Sequence, residues 1–221
     1  MPKLFDEELE KLRRKLLTMG AMAEQMVRDT TASLVNRDLD RFEPVRQAED
    51  RMDMLQREID EETVRMIGVF TPVAADLRML LMTTRITAEL ERIGDKTMDI
   101  GFYAKTLFGE PPLKPLIDIP RMAEIATNML RKVLDAYTEG AAEKALEVIA
   151  MDDEVDDLND QLFRELMTYV QQDATAISRV LELILIARSY ERISDHAVNI
   201  AEDIVYIVKG QDIRHLKGAG G

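Results

Sequence analysis

Apolar residues recur along most of the chain at the three-to-four-residue spacing of an amphipathic α-helix. In the first segment this spacing joins Leu9, Leu12, Leu16, Met19, Ala23 and Met26, and a later stripe joins Val155, Leu158, Leu162 and Leu166. No run between turn residues alternates apolar and polar positions, as a half-buried strand would. The pattern therefore predicts an all-α fold.

The breaks in this periodicity predict six helices, near residues 4–36, 38–69, 73–108, 117–139, 141–171 and 174–209. Thr71 and Pro72 have the form of an N-cap followed by proline at the first helical position. Pro44 is expected to kink the second helix or to end a short opening turn. Long helices with short connections indicate antiparallel neighbours packed as bundles.

The sequence also repeats itself. A shift of 100 residues places ERIGDKTMDI (91–100) on ERISDHAVNI (191–200), and a shift of 103 places Met19 on Met122 and Asp53 on Asp156. A register that holds over three helices indicates a duplication. We therefore predict two tandem, pseudo-repeated three-helix bundles, at 1–109 and 121–210, with a Pro-rich linker at 110–120 and a disordered tail at 211–221.

Charge and composition narrow the class of protein. The chain has 42 acidic and 29 basic residues, a net charge of −13 and no cysteine. The negative charge disfavours nucleic acid or an anionic membrane as a direct partner, and the lack of cysteine excludes disulfides and thiolate metal sites. The N-terminus lacks the apolar core of a signal peptide, and the longest uncharged stretch is about half a membrane span, so a cytoplasmic protein is expected.

Each predicted bundle carries two pairs of carboxylates spaced by four residues. The pairs are Glu49/Asp53 and Glu91/Asp95 in the first bundle, and Asp152/Asp156 and Glu191/Asp195 in the second. Residues four apart lie on one face of a helix, where like charges repel. If the helices are antiparallel neighbours, each bundle brings four carboxylates together, and hard cations such as iron, manganese, magnesium or calcium prefer such oxygen ligands.

A second interpretation of these pairs is a solvated acidic face with Arg92 and Arg192 as counter-charges. Acidic residues are so frequent that pairs such as Glu58/Glu62 also arise by chance. The Glu-x-x-His motif of diiron carboxylate bundles is missing, because glycine and serine follow Glu91 and Glu191 at the third position.

The two histidines leave different possibilities open. His196 adjoins Asp195, so it could brace or join a metal site, or it could be a surface or salt-bridged residue. His215 lies in the tail and is expected to be inert.

Two tandem three-helix units, each ending in ER-I-x-D, resemble the PhoU family, the phosphate-specific transport system accessory proteins. The second copy, ERISDHAVNIAEDI, resembles the family signature more closely than the first, and TPVAADLRMLLMTTRITAELERIGD is similar to that family's third helix. The resemblance covers about residues 5 to 209.

The resemblance implies a cytosolic, homodimeric regulator that couples the ATPase subunit of a phosphate ABC transporter to a sensor histidine kinase. Such a regulator represses the starvation response when phosphate is plentiful, and it meets the membrane only through its partners. It also implies iron, or manganese, zinc, magnesium or calcium, on the four carboxylate pairs, with Asp99 and Asn199 as further contributors. Lys96, where the second copy has His196, is expected to weaken metal binding in the first half.

Three functions follow. The first is a regulatory adaptor without catalysis. The second is a carboxylate-bridged metalloprotein, an oxidase or metal store, against which the missing Glu-x-x-His motif counts. The third is a purely structural bundle whose acidic patches face solvent.

Overall fold

The computed structural model describes residues 2–214, and this part of the chain is helical with short connections and no β-strand. Its six α-helices are α1 (Pro2–Asn36), α2 (Glu43–Phe70), α3 (Ala74–Phe108), α4 (Asp118–Glu139), α5 (Ala142–Gln172) and α6 (Ile177–Lys209). Short 3-10 helices lie at Leu39–Phe42 and Ala174–Ala176. The all-α prediction is therefore confirmed, with six helices close to the predicted ranges. None of them is both long enough and apolar enough to cross a membrane.

Pro44 stands in the first turn of α2, where a missing N–H removes no helical hydrogen bond. A separate opening turn precedes it, the 3-10 helix Leu39–Phe42. Asp38 caps that turn, because its Oδ1 accepts a hydrogen bond from the Asp40 N–H at 3.1 Å. The predicted short opening turn is confirmed, and α2 itself starts only after it.

The cap predicted at Thr71 and Pro72 is wrong. Thr71 ends α2 in the left-handed region, with φ at 47°, and its N–H donates to the Ile67 carbonyl at 3.0 Å. Proline disfavours the α-helical conformation of the residue before it, so Pro72 acts as a stop signal for α2. The next helix, α3, begins only at Ala74, after extended Val73.

The two repeats share one hydrophobic core. The third helices of the repeats, α3 and α6, pack against each other, and their first helices, α1 and α4, do the same. Gly20 permits the second crossing, because a Cβ atom there would lie 2.5 Å from Leu134 Cδ2. Fully buried residues in the joint core include Leu12, Met19, Leu90, Met129, Ile186 and Ile193. Each such side chain contributes about 1.5–3 kcal/mol when buried, so much of the stability comes from packing between helices.

The domain boundaries stay a prediction. The first turn of α4 starts at Asp118, inside the predicted linker 110–120. At the other end of the chain, Arg214 lies 3.7 Å from Asp203 (Nη1 to Oδ1), while 215–221, with His215, lies outside the described residues.

Candidate functional site

The two carboxylate pairs of the first repeat lie where α2 packs against α3. We call its members the first cluster: Glu49 and Asp53 on α2, and Glu91 and Asp95 on α3. Gly94 stands beside Asp95 in sequence, and a Cβ atom there would lie 3.4 Å from Met52 Sδ. The Met52 side chain therefore packs beside Gly94, which places α2 against α3 at the level of the cluster.

Burial and neighbouring carboxylates raise the pKa of three members of the first cluster, Glu49, Glu91 and Asp95. Burial raises the pKa of Glu49, and the charges of Asp53, Asp50 and Asp95 raise it further. The pKa of Glu91 is raised by burial and then by Asp95 and Asp53, and that of Asp95 by burial and then by Asp53. Because Asp53 on α2 acts on two residues of α3, the two pairs form one electrostatic unit.

Asp99, the further predicted ligand on α3, is paired with a lysine. Lys96 Nζ lies 2.6 Å from Asp99 Oδ2. The lysine also lowers the pKa of Asp95, which burial and Asp53 raise. Lys96 therefore brings a positive charge to the first cluster. The sequence predicts weaker metal binding in the first half for this reason.

The second cluster lies between α5 and α6 and consists of Asp152, Asp156, Glu191 and Asp195. Burial raises the pKa of Glu191, followed by the charge of Asp195; Asp156 raises it further, while Arg192 lowers it. Asp152 is buried one turn before Asp156 on α5. The structure thus joins the predicted residues of the second repeat across two helices, as in the first.

A carboxylate oxygen of Glu191 is buried without a hydrogen bond. This Oε2 atom has an ion-pair partner in Arg192 Nε, at 3.6 Å. The same arginine also binds Asp195, with Nη1 3.0 Å from Oδ2. A buried carboxylate oxygen that accepts no hydrogen bond is costly, and a hard cation would offset that cost.

The donor chemistry of both clusters fits a hard cation, because every predicted ligand offers carboxylate oxygen. As the side chains stand, however, residues 2–214 contain no three Asp, Glu or His side chains placed to hold one ion. Binding would therefore require side chains to move, and the nine predicted metal ligands stay a prediction.

The pair Glu58/Glu62 provides a contrast with the clusters. Lys15 Nζ lies 2.8 Å from Glu58 Oε2 and 2.7 Å from Glu62 Oε1. A lysine from α1 thus neutralises this pair, whereas each cluster gathers four carboxylates from two helices.

His196 forms a bridge between the repeats. Its Nδ1 lies 2.7 Å from Oε2 of Glu89 on α3, and Asn199 Nδ2 donates to the same oxygen at 3.0 Å. Burial opposes ionisation of Glu89, but the hydrogen bonds from His196 and Asn199 lower its pKa overall. The structure thus gives His196 a carboxylate partner in the other repeat, while a role beside a metal stays a prediction. Sequence comparison missed Glu89 because a shift of 100 residues aligns it with Ser189.

With this geometry established, likeness to known proteins identifies the family. The sequence matches the PhoU domain over residues 16–104 and again over residues 119–204. The chain belongs to the PhoU family. The double match confirms the predicted tandem repeat, since each half carries one copy of the PhoU domain.

Curated PhoU relatives resemble the chain over almost its whole length. It is 38% identical to the phosphate-specific transport system accessory protein PhoU homolog of Pseudomonas putida, over 96% of this chain and 83% of that protein. It is 37% identical to the phosphate-specific transport system accessory protein PhoU of Escherichia coli, over 97% of this chain and 89% of that protein.

Solved PhoU structures share the fold. The crystal structure of PhoU from Pseudomonas aeruginosa matches with a TM-score of 0.90 and 37% identity, covering 94% of this chain and 100% of that one. The crystal structure of the phosphate transport system regulatory protein PhoU from Streptococcus pneumoniae matches with a TM-score of 0.87, covering 95% of this chain and 99% of that one. At 22% identity, this match shows that the two proteins share a fold.

Proposed function

We propose that this PhoU-family chain is an accessory protein of phosphate-specific transport that regulates phosphate uptake without catalysing a reaction. The observation that carries the proposal is the extent of the likeness. Two relatives named as phosphate-specific transport system accessory proteins are 38% and 37% identical to it, over 96% and 97% of the chain. The likeness spans both repeats, so it includes the four helices α2, α3, α5 and α6 on which the carboxylates lie.

The regulator acts, in this proposal, between the ATPase subunit of a phosphate ABC transporter and a sensor histidine kinase in the cytoplasm. When phosphate is plentiful, it keeps the starvation response repressed. Support for protein partners comes from α6, where Ile177, Leu181 and Leu185 recur every fourth residue and are all exposed. An apolar stripe of this kind suits contact with another protein, including a second copy in a homodimer.

Affinity capture tests this proposal. The tagged chain is recovered from cells grown in high phosphate, and co-purifying proteins are identified by mass spectrometry. The transporter ATPase and the histidine kinase should be enriched, and Leu181→Glu on α6 should reduce their recovery. Leu146→Glu, at an exposed position on α5, is the matched control. Enrichment of neither protein over an unrelated tagged chain would contradict the proposal.

Metal binding at the two acidic clusters is the second proposed property. The cation is iron, or manganese, zinc, magnesium or calcium, held by the carboxylates of the four predicted pairs. The raised pKa values of Glu49, Glu91, Asp95 and Glu191 support it, because burial and mutual repulsion both favour neutralisation of these groups. An oxidase would consume oxygen, and a metal store would load iron in bulk. A regulator that binds metal at the clusters would do neither.

A further inference from the structure

A cavity of about 360 Å³ lies where the C-terminal ends of α4 and α6 meet α1 and the first turns of α3. It is partly open to solvent, and no residue of either acidic cluster lines it. Its lining includes Arg13, Met79, Tyr137, Glu139, Ile204 and Ile207. Its volume is within the range of small-molecule sites in proteins.

One side of this cavity is apolar. Met79 from α3 and Ile204, Ile207 and Val208 from α6 form that wall. Ile204 is buried in the core, whereas Val208 is partly exposed. A short hydrocarbon body lying along this wall would remove apolar surface from water, which is favourable by about 25 cal/mol per Å².

The polar side of the cavity contains a hydroxyl that has no well-aligned hydrogen bond. Tyr137 is 7% exposed, and its hydroxyl oxygen is buried without a partner of acceptable geometry. Burial raises the pKa of this hydroxyl, and nearby Thr83 and Arg13 only partly oppose the shift, so the group keeps its proton. A buried hydroxyl without a well-aligned partner is costly, and a ligand that accepts its hydrogen bond would recover part of that cost.

Arg13 supplies a positive charge to the same cavity. Its guanidinium forms no salt bridge with any described residue, whereas its neighbour Arg14 pairs with Glu10 (Nε to Oε1, 3.7 Å). The carboxylate in the lining, Glu139, is already bound by Lys144, with Nζ 2.6 Å from Oε1. The cavity therefore offers a cation that forms no salt bridge with the described residues, beside the Tyr137 hydroxyl.

We propose that this cavity binds a small anionic amphiphile. An oxyanion head, either carboxylate or phosphate monoester, binds Arg13 and the Tyr137 hydroxyl, while a short apolar body lies along Met79 and Ile207. A cation would be repelled by Arg13, and a fully apolar molecule would cover the Arg13 charge without supplying an anionic partner. This inference is independent of the role in phosphate transport, because it rests on residues outside the clusters and the α6 stripe.

Calorimetric titration of the full chain tests the inference with defined probes. Octanoate, octyl phosphate and octylammonium are each titrated below their micelle concentrations, with acetate and inorganic phosphate as headgroup controls. At least one of the two anionic amphiphiles should bind saturably with one site per chain, and their relative affinities show which head the site prefers. Octylammonium should not bind, and the headgroups alone should bind at least tenfold more weakly.

Variants of the two polar residues locate the site. Arg13→Gln should weaken binding of the anionic amphiphile at least tenfold, and Tyr137→Phe should weaken it several-fold. Tyr137→Phe removes only a buried hydroxyl that has no well-aligned hydrogen bond. The melting temperature of this variant should therefore equal or exceed that of the parent chain. The matched control, Arg14→Gln, should bind as the parent does.

Three results would overturn the inference. They are equal binding of octylammonium, unchanged affinity in both Arg13→Gln and Tyr137→Phe, or no saturable binding of either anionic amphiphile. If Arg13→Gln fails to fold, Tyr137→Phe alone decides whether the cavity holds the head.

Discussion

The Nδ1 atom of His196, in the second repeat, lies 2.7 Å from Oε2 of Glu89 in the first. Asn199 donates to the same carboxylate oxygen, so one residue of α3 receives two hydrogen bonds from α6. His196 directly follows Asp195 of the second cluster, and Glu89 precedes Glu91 of the first by two positions. This bridge therefore links the surroundings of the two acidic clusters through the packed pair α3 and α6.

A double-mutant cycle measures that bridge. Glu89→Gln and His196→Gln should each destabilise the fold by about 1–3 kcal/mol, because each leaves a largely buried polar partner poorly satisfied. The two effects should be non-additive by about 1 kcal/mol, since both remove the same interaction. Urea denaturation of the parent, both single variants and the double variant gives these free energies of unfolding.

The surface pair Glu139 and Lys144 is the control for that cycle. Lys144 Nζ lies 2.6 Å from Glu139 Oε1, a distance close to that of the bridge, but both side chains are well exposed. An exposed pair contributes about 0–1 kcal/mol. A coupling between Glu89 and His196 no larger than that of the control would show that the bridge does not hold the repeats together.

Asp203 should make stability depend on pH. It is 1% exposed, and burial raises its pKa from 3.8 to about 7; Glu89, Glu202 and Asp212 add to the shift, while Arg85 lowers it. Between pH 4 and pH 7 the unfolded chain has lost this proton while the folded chain still holds it. Asp203 therefore makes the free energy of unfolding fall as pH rises through this window.

The variant Asp203→Asn isolates that contribution. It has no titrating group at this position, so its free energy of unfolding should fall less between pH 4 and pH 7 than that of the parent chain. The difference between the two chains, measured by urea denaturation at several pH values, should level off above pH 7. Parallel pH profiles would contradict a raised pKa at Asp203.

Two glycines should respond in opposite directions to alanine. At Gly101 on α3, a Cβ atom would lie 2.0 Å from Phe42 Cζ, whereas at Gly68 on α2 it would meet nothing within 4 Å. Gly101→Ala should destabilise the fold by about 1–3 kcal/mol, because the ring must move. Gly68→Ala should stabilise it by about 0.5–1 kcal/mol, because it improves helix propensity without contact. Thermal melts distinguish the two, and stabilisation by Gly101→Ala would show that the Phe42 contact is not a tight one.

Removal of one carboxylate from each cluster tests metal binding. Gently purified parent chain should contain a bound metal by elemental analysis, and the double variant Asp95→Ala plus Asp195→Ala should lose it. The reason is that each substitution removes one of the four carboxylates of its cluster. The same metal should raise the melting temperature of the parent but not of the variant.

Glu58→Ala plus Glu62→Ala is the matched control for that experiment. This pair has the same spacing and the same charge, but Lys15 neutralises it. The control should retain metal at the parent level. Equal metal content in all three chains, or no metal in any of them after loading, would remove the cluster residues as ligands.

Periodicity was sufficient to predict the helices, since an apolar stripe that must be buried leaves little freedom in where a long helix lies. The sequence signal failed at Thr71, because a Thr-Pro pair can start one helix or stop another. The local pattern does not distinguish the two, and the left-handed turn at Thr71 depends on how α2 and α3 pack.

The acidic clusters could be predicted because the duplication repeats their spacing. The bridge from His196 to Glu89 could not be predicted, since it joins different helices of different repeats and has no internal counterpart. Asp203 was missed for a similar reason. Its position on α6 looks like that of an ordinary charged residue until the fold brings Arg85 of α3, Asp212 and Arg214 beside it.

The most direct test of the central claim is expression from a phosphate-starvation promoter in phosphate-rich medium, with and without this gene. A regulator that represses the response predicts strong expression after deletion, and repression again when the parent chain is restored from a plasmid. Expression that stays repressed after deletion, in a strain with an intact phosphate transporter and sensor kinase, would contradict the claim.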